Sequence, residues 1–253
     1  MDSSFMTPPR VKIYGRNGAE IRPRVLELGM AVDETHPEVV ISYGGDGALL
    51  GAERDWPGVP KVALRDSERC EMCSHESNDA ILRHLAEGTL KRTEFMKLST
   101  EAAGRSFTCL NNTILHNAVI AAGVRYRVWI DDEVYGRGDI IGDGLVVATP
   151  FGSSAYYRSI THSTFRVGIG LAFNNSIEPI NHLVLAGSSV VRVAIVRGPA
   201  IVVGDQMPDH IALEEGDEVQ VRRATENGII LVYDRVRYPA DQFIYFGSPE
   251  AAK

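Results

Sequence analysis

Glu38-Val39-Val40-Ile41-Ser42-Tyr43-Gly44-Gly45-Asp46-Gly47-Ala48-Leu49-Leu50 is the stretch whose reading decides the fold. Its apolar start reads as a short buried strand, and the residues from Ala48 to Asp55 read as the opening of a helix. Three glycines and one carboxylate therefore occupy a strand-to-helix turn. Glycine there permits positive φ and the close approach of another backbone or of a phosphate. Such a turn can aim consecutive N–H groups at an anion. A carboxylate repels phosphate, so Asp46 calls for a role of its own. It can hold a magnesium ion indirectly, take a proton from an attacking hydroxyl, or cap the helix.

Working outward, Val11–Tyr14 is a short strand, and Gly18 to Leu28 suits a helix with an apolar stripe of Ile21, Val25 and Leu28. Gly29 stops that helix. On the other side, Trp56-Pro57-Gly58-Val59-Pro60 breaks the helix after the turn. Lys61–Leu64 is again a strand, and Asn78–Ala86 is a helix capped by Ser77 or Asn78. Up to about residue 90 strands and helices alternate, which predicts an α/β N-terminal domain with an open, mainly parallel sheet.

From Lys91 the pattern becomes strand-like. Glu94 to Thr100 and Arg105 to Leu110 flank Ala103-Gly104, a hairpin signal. Val124–Ile130 alternates as a half-buried strand should, and Asp131-Asp132 turns the chain into Glu133–Tyr135. Gly144–Ala148 is a fully apolar strand, and Ser153 to Ser159 reads as a short helix. Further strands are expected at 182–186, 190–196, 200–203, 218–222 and 228–233. Residues 91–235 thus form an all-β, sandwich-like C-terminal domain, and 236–253 a tail packing back on the first domain.

The length of 253 residues allows one large domain or two modest ones, and a 44% hydrophobic share provides a core. A net charge of −7 argues against non-specific binding to nucleic acid or an anionic membrane. No apolar run reaches the roughly 18 residues of a membrane helix, and Met1–Arg10 lacks the apolar centre of a secretion signal. Three cysteines fit a reducing, cytoplasmic setting. Cys70 and Cys73, near His75, read as reduced thiols in a loop, because no second pair completes a zinc site. No resident protein-bound metal is expected.

Ile141-Gly142-Asp143-Gly144 precedes the apolar strand, and Thr149-Pro150-Phe151-Gly152-Ser153-Ser154-Ala155-Tyr156 follows it. Thr149, Ser153 and Ser154 can bond a polar ligand, Tyr156 offers a ring face and a hydroxyl, and a helix start adds N–H donors. Leu110-Asn111-Asn112-Thr113 brings two adjacent amides, which can read a base edge or ribose hydroxyls or simply form a turn.

Together, and in this order, these elements resemble the NAD kinase family. The matching residues are Gly44-Gly45-Asp46-Gly47, Asn111-Asn112 at the place of an Asn-Glu motif, Gly142-Asp143-Gly144, and the string Thr149 to Tyr156. Gly204-Asp205-Gln206 is similar to a later Asp-Gly-Gln turn of that family. The resemblance implies an NAD kinase-like fold, with the dinucleotide site in a cleft between the domains. It implies homodimers or homotetramers in which neighbouring subunits help build the site. Asp46 then matches the catalytic base facing the adenosine ribose, and Gly44, Gly45 and Gly47 the phosphate-contacting turn. Asn111 matches the asparagine at the adenine end. Asp143 and Ala155 match the nicotinamide-amide contacts. Ser154 and Tyr156 match adenine and ribose contacts, with Ser159 close behind; Asn112, Thr149 and Ser153 complete the NAD-binding set.

The implied reaction moves the γ-phosphoryl group of ATP, with Mg2+, to the 2′-hydroxyl of the adenosine ribose of NAD, giving NADP. Two other readings accompany it. One is a catalytically weak NAD(P)-binding homologue acting as a sensor or regulator. The other is a lipid or other nucleoside kinase of the same superfamily, which shares the first motif. The chain departs from the family pattern at Asn112 (Glu in the family), Ala48 (Thr) and Phe151 (Ser or Thr). It also departs at Thr161-His162-Ser163 (Gly-Gly-Pro) and Ala63-Leu64-Arg65 (Gly-Ile-Asn).

Overall fold

The computed structural model describes residues 7–66 and 76–233. The Cys70/Cys73/His75 group and the expected tail lie outside them. One compact unit holds the chain through Phe95 and resumes at Asn227; the other is Met96–Glu226.

The first unit begins with β1 (Arg10–Tyr14), α1 (Arg22–Glu27), β2 (Ala31–Val32), β3 (Val39–Tyr43), α2 (Asp46–Asp55), β4 (Lys61–Leu64), α3 (Asn78–Ala86) and β5 (Lys91–Phe95). The helix expected over 18–28 is in two pieces, a 3-10 turn at Gly18–Glu20 followed by α1. Pro23 explains the break: it has no N–H and its ring clashes with a preceding turn, so it is tolerated only in the first turn of a helix. The Ser77 alternative holds for α3, whose hydroxyl accepts from the Ala80 N–H at 3.1 Å. All five residues of β3 are buried, as expected for a strand covered on both faces. The far end of α2 is fixed to β4 by Lys61, whose ammonium pairs with Glu53 and donates to the Trp56 carbonyl at 2.6 Å.

The second unit follows with β6 (Leu98–Ala102), β7 (Arg105–Cys109), β8 (Asn112–Asn117), β9 (Val124–Ile130), β10 (Glu133–Gly142) and β11 (Gly144–Ala148). After α4 (Tyr156–Thr161) come β12 (Ile169–Asn174), β13 (Leu183–Leu185), β14 (Val191–Arg197), β15 (Ala200–Gly204), β16 (Ile211–Leu213) and β17 (Glu218–Arg223). These strands form two six-stranded antiparallel sheets, β10-β9-β14-β17-β6-β7 and β13-β12-β11-β8-β15-β16. One core joins them: Tyr126, Val193 and Val219 from the first sheet pack with Leu115, Val147 and Leu171 from the second. The expected strand over 94–100 is two strands, β5 and β6, which belong to different units. The helix read over 153–159 is a 3-10 turn at Phe151–Ser154 and then α4, parted at Ala155.

The chain then returns to the first unit as β18 (Gly228–Val232). This strand was expected in the β-rich domain; instead it runs parallel to β4 and antiparallel to β5. The first sheet has the order β2-β1-β3-β4-β18-β5, and all its pairings are parallel except that of β5. Among the described residues no helix is long and apolar enough to cross a membrane.

Candidate functional site

In the first unit the chain leaves β3 at its C-terminal end, where open parallel sheets place ligands. The Gly44 N–H donates to the Leu64 carbonyl at 2.9 Å, and the Ala48 N–H to that of Gly45 at 2.9 Å. A Cβ on Gly44 would lie 2.8 Å from that of Ala48, so the turn closes only around a glycine. The helix cap is Gly45, not Asp46. Asp46 is the first residue of α2, partly exposed, with Gly47 exposed beside it. Its charge there favours the positive end of the helix. The carboxylate thus lies at the strand-to-helix turn, one residue past the Gly45 cap.

In the second unit the predicted residues fall into two groups. The first is built on Leu110–Asn112 and Thr149–Ser153. The carboxylate of Asp205 accepts the N–H groups of Leu110, Asn111 and Asn112 at 2.6, 2.9 and 3.0 Å. Burial pushes the Asp205 carboxyl up to about 6, against the opposing effect of those three donors and of the Lys97 charge. Thr149 is fully buried. Its hydroxyl donates to the Leu110 carbonyl at 2.6 Å and accepts the Gly152 N–H at 3.0 Å. Its own N–H reaches the Asn111 carbonyl at 2.9 Å. A Cβ on Gly152 would come within 2.3 Å of that same carbonyl, so only glycine lets the two turns touch. The Ser153 hydroxyl donates to the carbonyls of Pro150 and Phe165, at 2.8 and 3.1 Å. Phe151 is buried and fills the interior. Asn111 and Asn112 are both buried, and Asn111 Oδ1 has no hydrogen-bond partner.

The second group is Asp143 and Tyr156. Asp143 Oδ2 accepts from Asn175 Nδ2 at 2.6 Å, and the Asp143 N–H donates to the Asn174 carbonyl at 2.9 Å. Asn174 Nδ2 in turn donates to the Tyr156 hydroxyl at 3.0 Å. Burial, and then the Asp143 charge, raises the pKa of Tyr156. Asn117 donates to the carbonyls of Val119 and Ala122 and lies 3.5 Å from Asp143 Oδ1. Ala155 is exposed, Ser154 partly so, and the exposed Ser159 donates to the Tyr156 carbonyl at 2.7 Å.

The structure therefore joins Asn111, Asn112 and Thr149 in one network, with Ser153 bonded separately to Pro150 and Phe165 on the same turn, and links Asp143 and Tyr156 through Asn174 in another. Asp46 and its glycines belong to the other unit. Three residues of these networks, Asp205, Asn174 and Asn175, have no role that the sequence alone assigns. Asn174-Asn175 carried a usable signal, two amides closing the apolar run Ile169–Phe173. Asp205 was visible only as a turn residue, because its three partners lie more than ninety residues earlier.

No family model matches the chain. It is 27% identical to the NAD kinase of Thermoplasma acidophilum over 227 residues, which is 83% of this chain and 80% of that protein. It is 28% identical to the NAD kinase of Clostridium perfringens over 219 residues, 79% and 77% of the two chains. With the NAD kinase of Oleidesulfovibrio alaskensis it is 29% identical over 211 residues, 76% and 70%. Among solved structures, an Archaeoglobus fulgidus NAD kinase in complex with ATP superposes with a TM-score of 0.74 at 17% identity, covering 92% of this chain and 95% of that one. Yeast NADH kinase complexed with NADH gives 0.70 at 17%, covering 84% and 68%. With its glycine–aspartate turn, its braced Asn-Asn turn, relatives matched over most of their length and this shared fold, the chain is similar to the NAD kinases in both sequence and fold.

Proposed function

We propose that the protein is an NAD kinase, transferring the γ-phosphoryl group of magnesium–ATP to the 2′-hydroxyl of the adenosine ribose of NAD. In this reading Asp46 orients that hydroxyl and accepts its proton. The new O–P bond forms as the bond from the γ-phosphorus to its bridging oxygen breaks, and ADP and NADP leave. Gly44, Gly45 and Gly47 hold phosphate. Asn111, Asn112, Ser154, Tyr156 and Ser159 take the adenine and ribose, and Asp143 and Ala155 the nicotinamide amide. Thr149 and Ser153 contribute by position, since their hydroxyls are bonded inside the protein. Mg2+ belongs to the donor nucleotide: it keeps water and phosphate ligands and asks for only one or two carboxylates. Among the described residues no group of three or more His, Cys, Asp or Glu could hold an ion. The two-domain arrangement, a homodimer or homotetramer and a cytoplasmic location are part of the same proposal.

The observation that carries it is Asn111 Oδ1, a buried acceptor without a partner on a turn fixed by Asp205 and Thr149. A buried polar atom left unpaired is costly, and a ligand amine at the adenine end would satisfy it. The second reading, a weak NAD(P)-binding homologue, draws support from Asn112, where the family has a glutamate. One experiment separates the two. The purified protein is given NAD and magnesium–ATP, and NADP is measured with a coupled dehydrogenase, alongside NAD binding by calorimetry. NADP formation is expected; NAD binding without turnover would select the second reading, and neither would overturn both.

A further inference from the structure

One face of the sheet β10-β9-β14-β17-β6-β7 carries arginines that the proposed reaction does not use. Along β9, Val124, Tyr126 and Val128 enter the core, so Arg125, Arg127 and Trp129 lie on the opposite face. β14 adds Arg192 and, past a bulge, Arg197. Two of these four arginines have clear partners. Arg127 grips Asp139 through Nε and Nη2 at 2.9 and 2.6 Å. Arg192 lies 3.9 Å over the Trp129 ring and donates to Glu218 at 3.0 Å.

The other two face each other, because the ladder pairs Arg197 directly with Arg125. Among the described residues neither meets a carboxylate, and Arg125 Nε is closed to solvent without a hydrogen-bond partner. On the other side of Arg125 the ladder places Ile141. Its N–H is taken by Glu178 at 3.1 Å, and that carboxylate also accepts from the Ser176 hydroxyl at 3.4 Å. Like charges opposite each other in an antiparallel pair repel. The chain has 33 acidic residues against 26 basic ones, yet among the described residues none forms an ion pair with either arginine.

Guanidinium forks on neighbouring strands suit a tetrahedral anion, each offering two parallel N–H groups to its oxygens. The geometry points to a phosphoryl-binding site on this sheet face, with Arg125 and Arg197 as its two cationic ligands. The group it takes is a phosphate, free or esterified to a sugar. The Gly44–Gly47 turn and the Asp143–Tyr156 group share no residue with it.

The test uses calorimetric titration of the full chain with inorganic phosphate and, separately, ribose 5-phosphate, at low ionic strength. Wild type shows a saturable site that Arg125→Gln and Arg197→Gln each weaken at least tenfold. Arg127→Gln, whose partner is Asp139, leaves it within twofold. Arg197 is exposed, so Arg197→Gln decides alone if Arg125→Gln does not fold. Tighter binding of ribose 5-phosphate assigns the site to an esterified group, and equal or weaker binding to the free anion. Phosphate held elsewhere survives both arginine changes. The proposal fails if wild type binds neither probe, or if the two variants titrate as wild type does.

Discussion

The Gly44–Gly47 turn and the Thr149–Ser153 turn both carry a buried strand into a helix, but they are held in different ways. Backbone bonds from Gly44 and Ala48 shape the first, and its carboxylate sits at the start of a ten-residue helix. The second is braced by buried side chains: the Thr149 and Ser153 hydroxyls and, through Leu110–Asn112, the Asp205 carboxylate. A side chain that holds the protein together is tied up in that task. Substitutions in the first turn should therefore change turnover while leaving folding nearly intact, and those in the second should change folding first.

The largest effect expected from that contrast is at Asp46. Asp46→Asn should lower kcat by about 10²–10⁴, the usual range for losing an acid–base group. Its stability should move by less than about 1 kcal/mol, the scale of a helix-end charge. Steady-state kinetics with a parallel urea titration checks both. Full activity would reduce Asp46 to a helix-end charge and erase the contrast.

Gly152→Ala is the converse. Its Cβ would press on the Asn111 backbone at 2.3 Å, and overpacking of this kind costs about 1–3 kcal/mol. Thermal denaturation should show the loss, with kcat in the folded fraction changed less than in Asp46→Asn.

Asp205→Asn should cost about 1–3 kcal/mol, because one acceptor oxygen cannot serve three N–H donors. The wild type also carries a pH signature. The folded Asp205 carboxyl is raised from 3.8 to about 6, so the folded state holds this proton more tightly than the unfolded chain does. The stabilisation from this group is complete below about pH 4 and disappears as pH rises through about 6. Chemical denaturation from pH 4 to pH 7 should show the slope in wild type and its absence in Asp205→Asn.

The smallest effect is expected from Tyr156→Phe. It removes the oxygen that accepts from Asn174, a neutral bond worth roughly 0.5–1.5 kcal/mol. NAD affinity should fall by no more than about tenfold and the melting temperature by a few degrees. A collapse in stability would move Tyr156 to the braced class.

What the sequence made legible followed local pattern. The alternation Val124–Ile130, the apolar runs of β3 and β11, and Gly-containing turns such as Ala103-Gly104 depend on neighbours in the chain. What it hid depends on distant partners. β8 opens with Asn112-Thr113, which read as a turn, yet both are buried in a strand paired with β11 and β15. The second half of β10 was obscured by Gly136 and Gly138, which bulge the strand between Tyr135 and Ile140. Asn111 and Asp143 stand out by motif, as turn residues next to β8 and β11. The use of Thr149 and Ser153 as internal struts does not, since a hydroxyl's partner is invisible without the fold.

The return of β18 has a consequence for how the protein is made. β5 borders β18 alone in the first sheet, and the Asn227–Glu94 bond beside that pair spans 133 residues. On the ribosome, Lys91–Phe95 emerges long before its partner, a delay on the order of ten seconds at 5–20 residues per second. The inserted unit, Met96–Glu226, is continuous in sequence and can condense first. During that interval β4 waits with one open edge and β5 has no strand to join, an aggregation-prone condition. Ribosome-bound chains halted before Gly228 should be more protease-sensitive at β5 than chains extended past Val232.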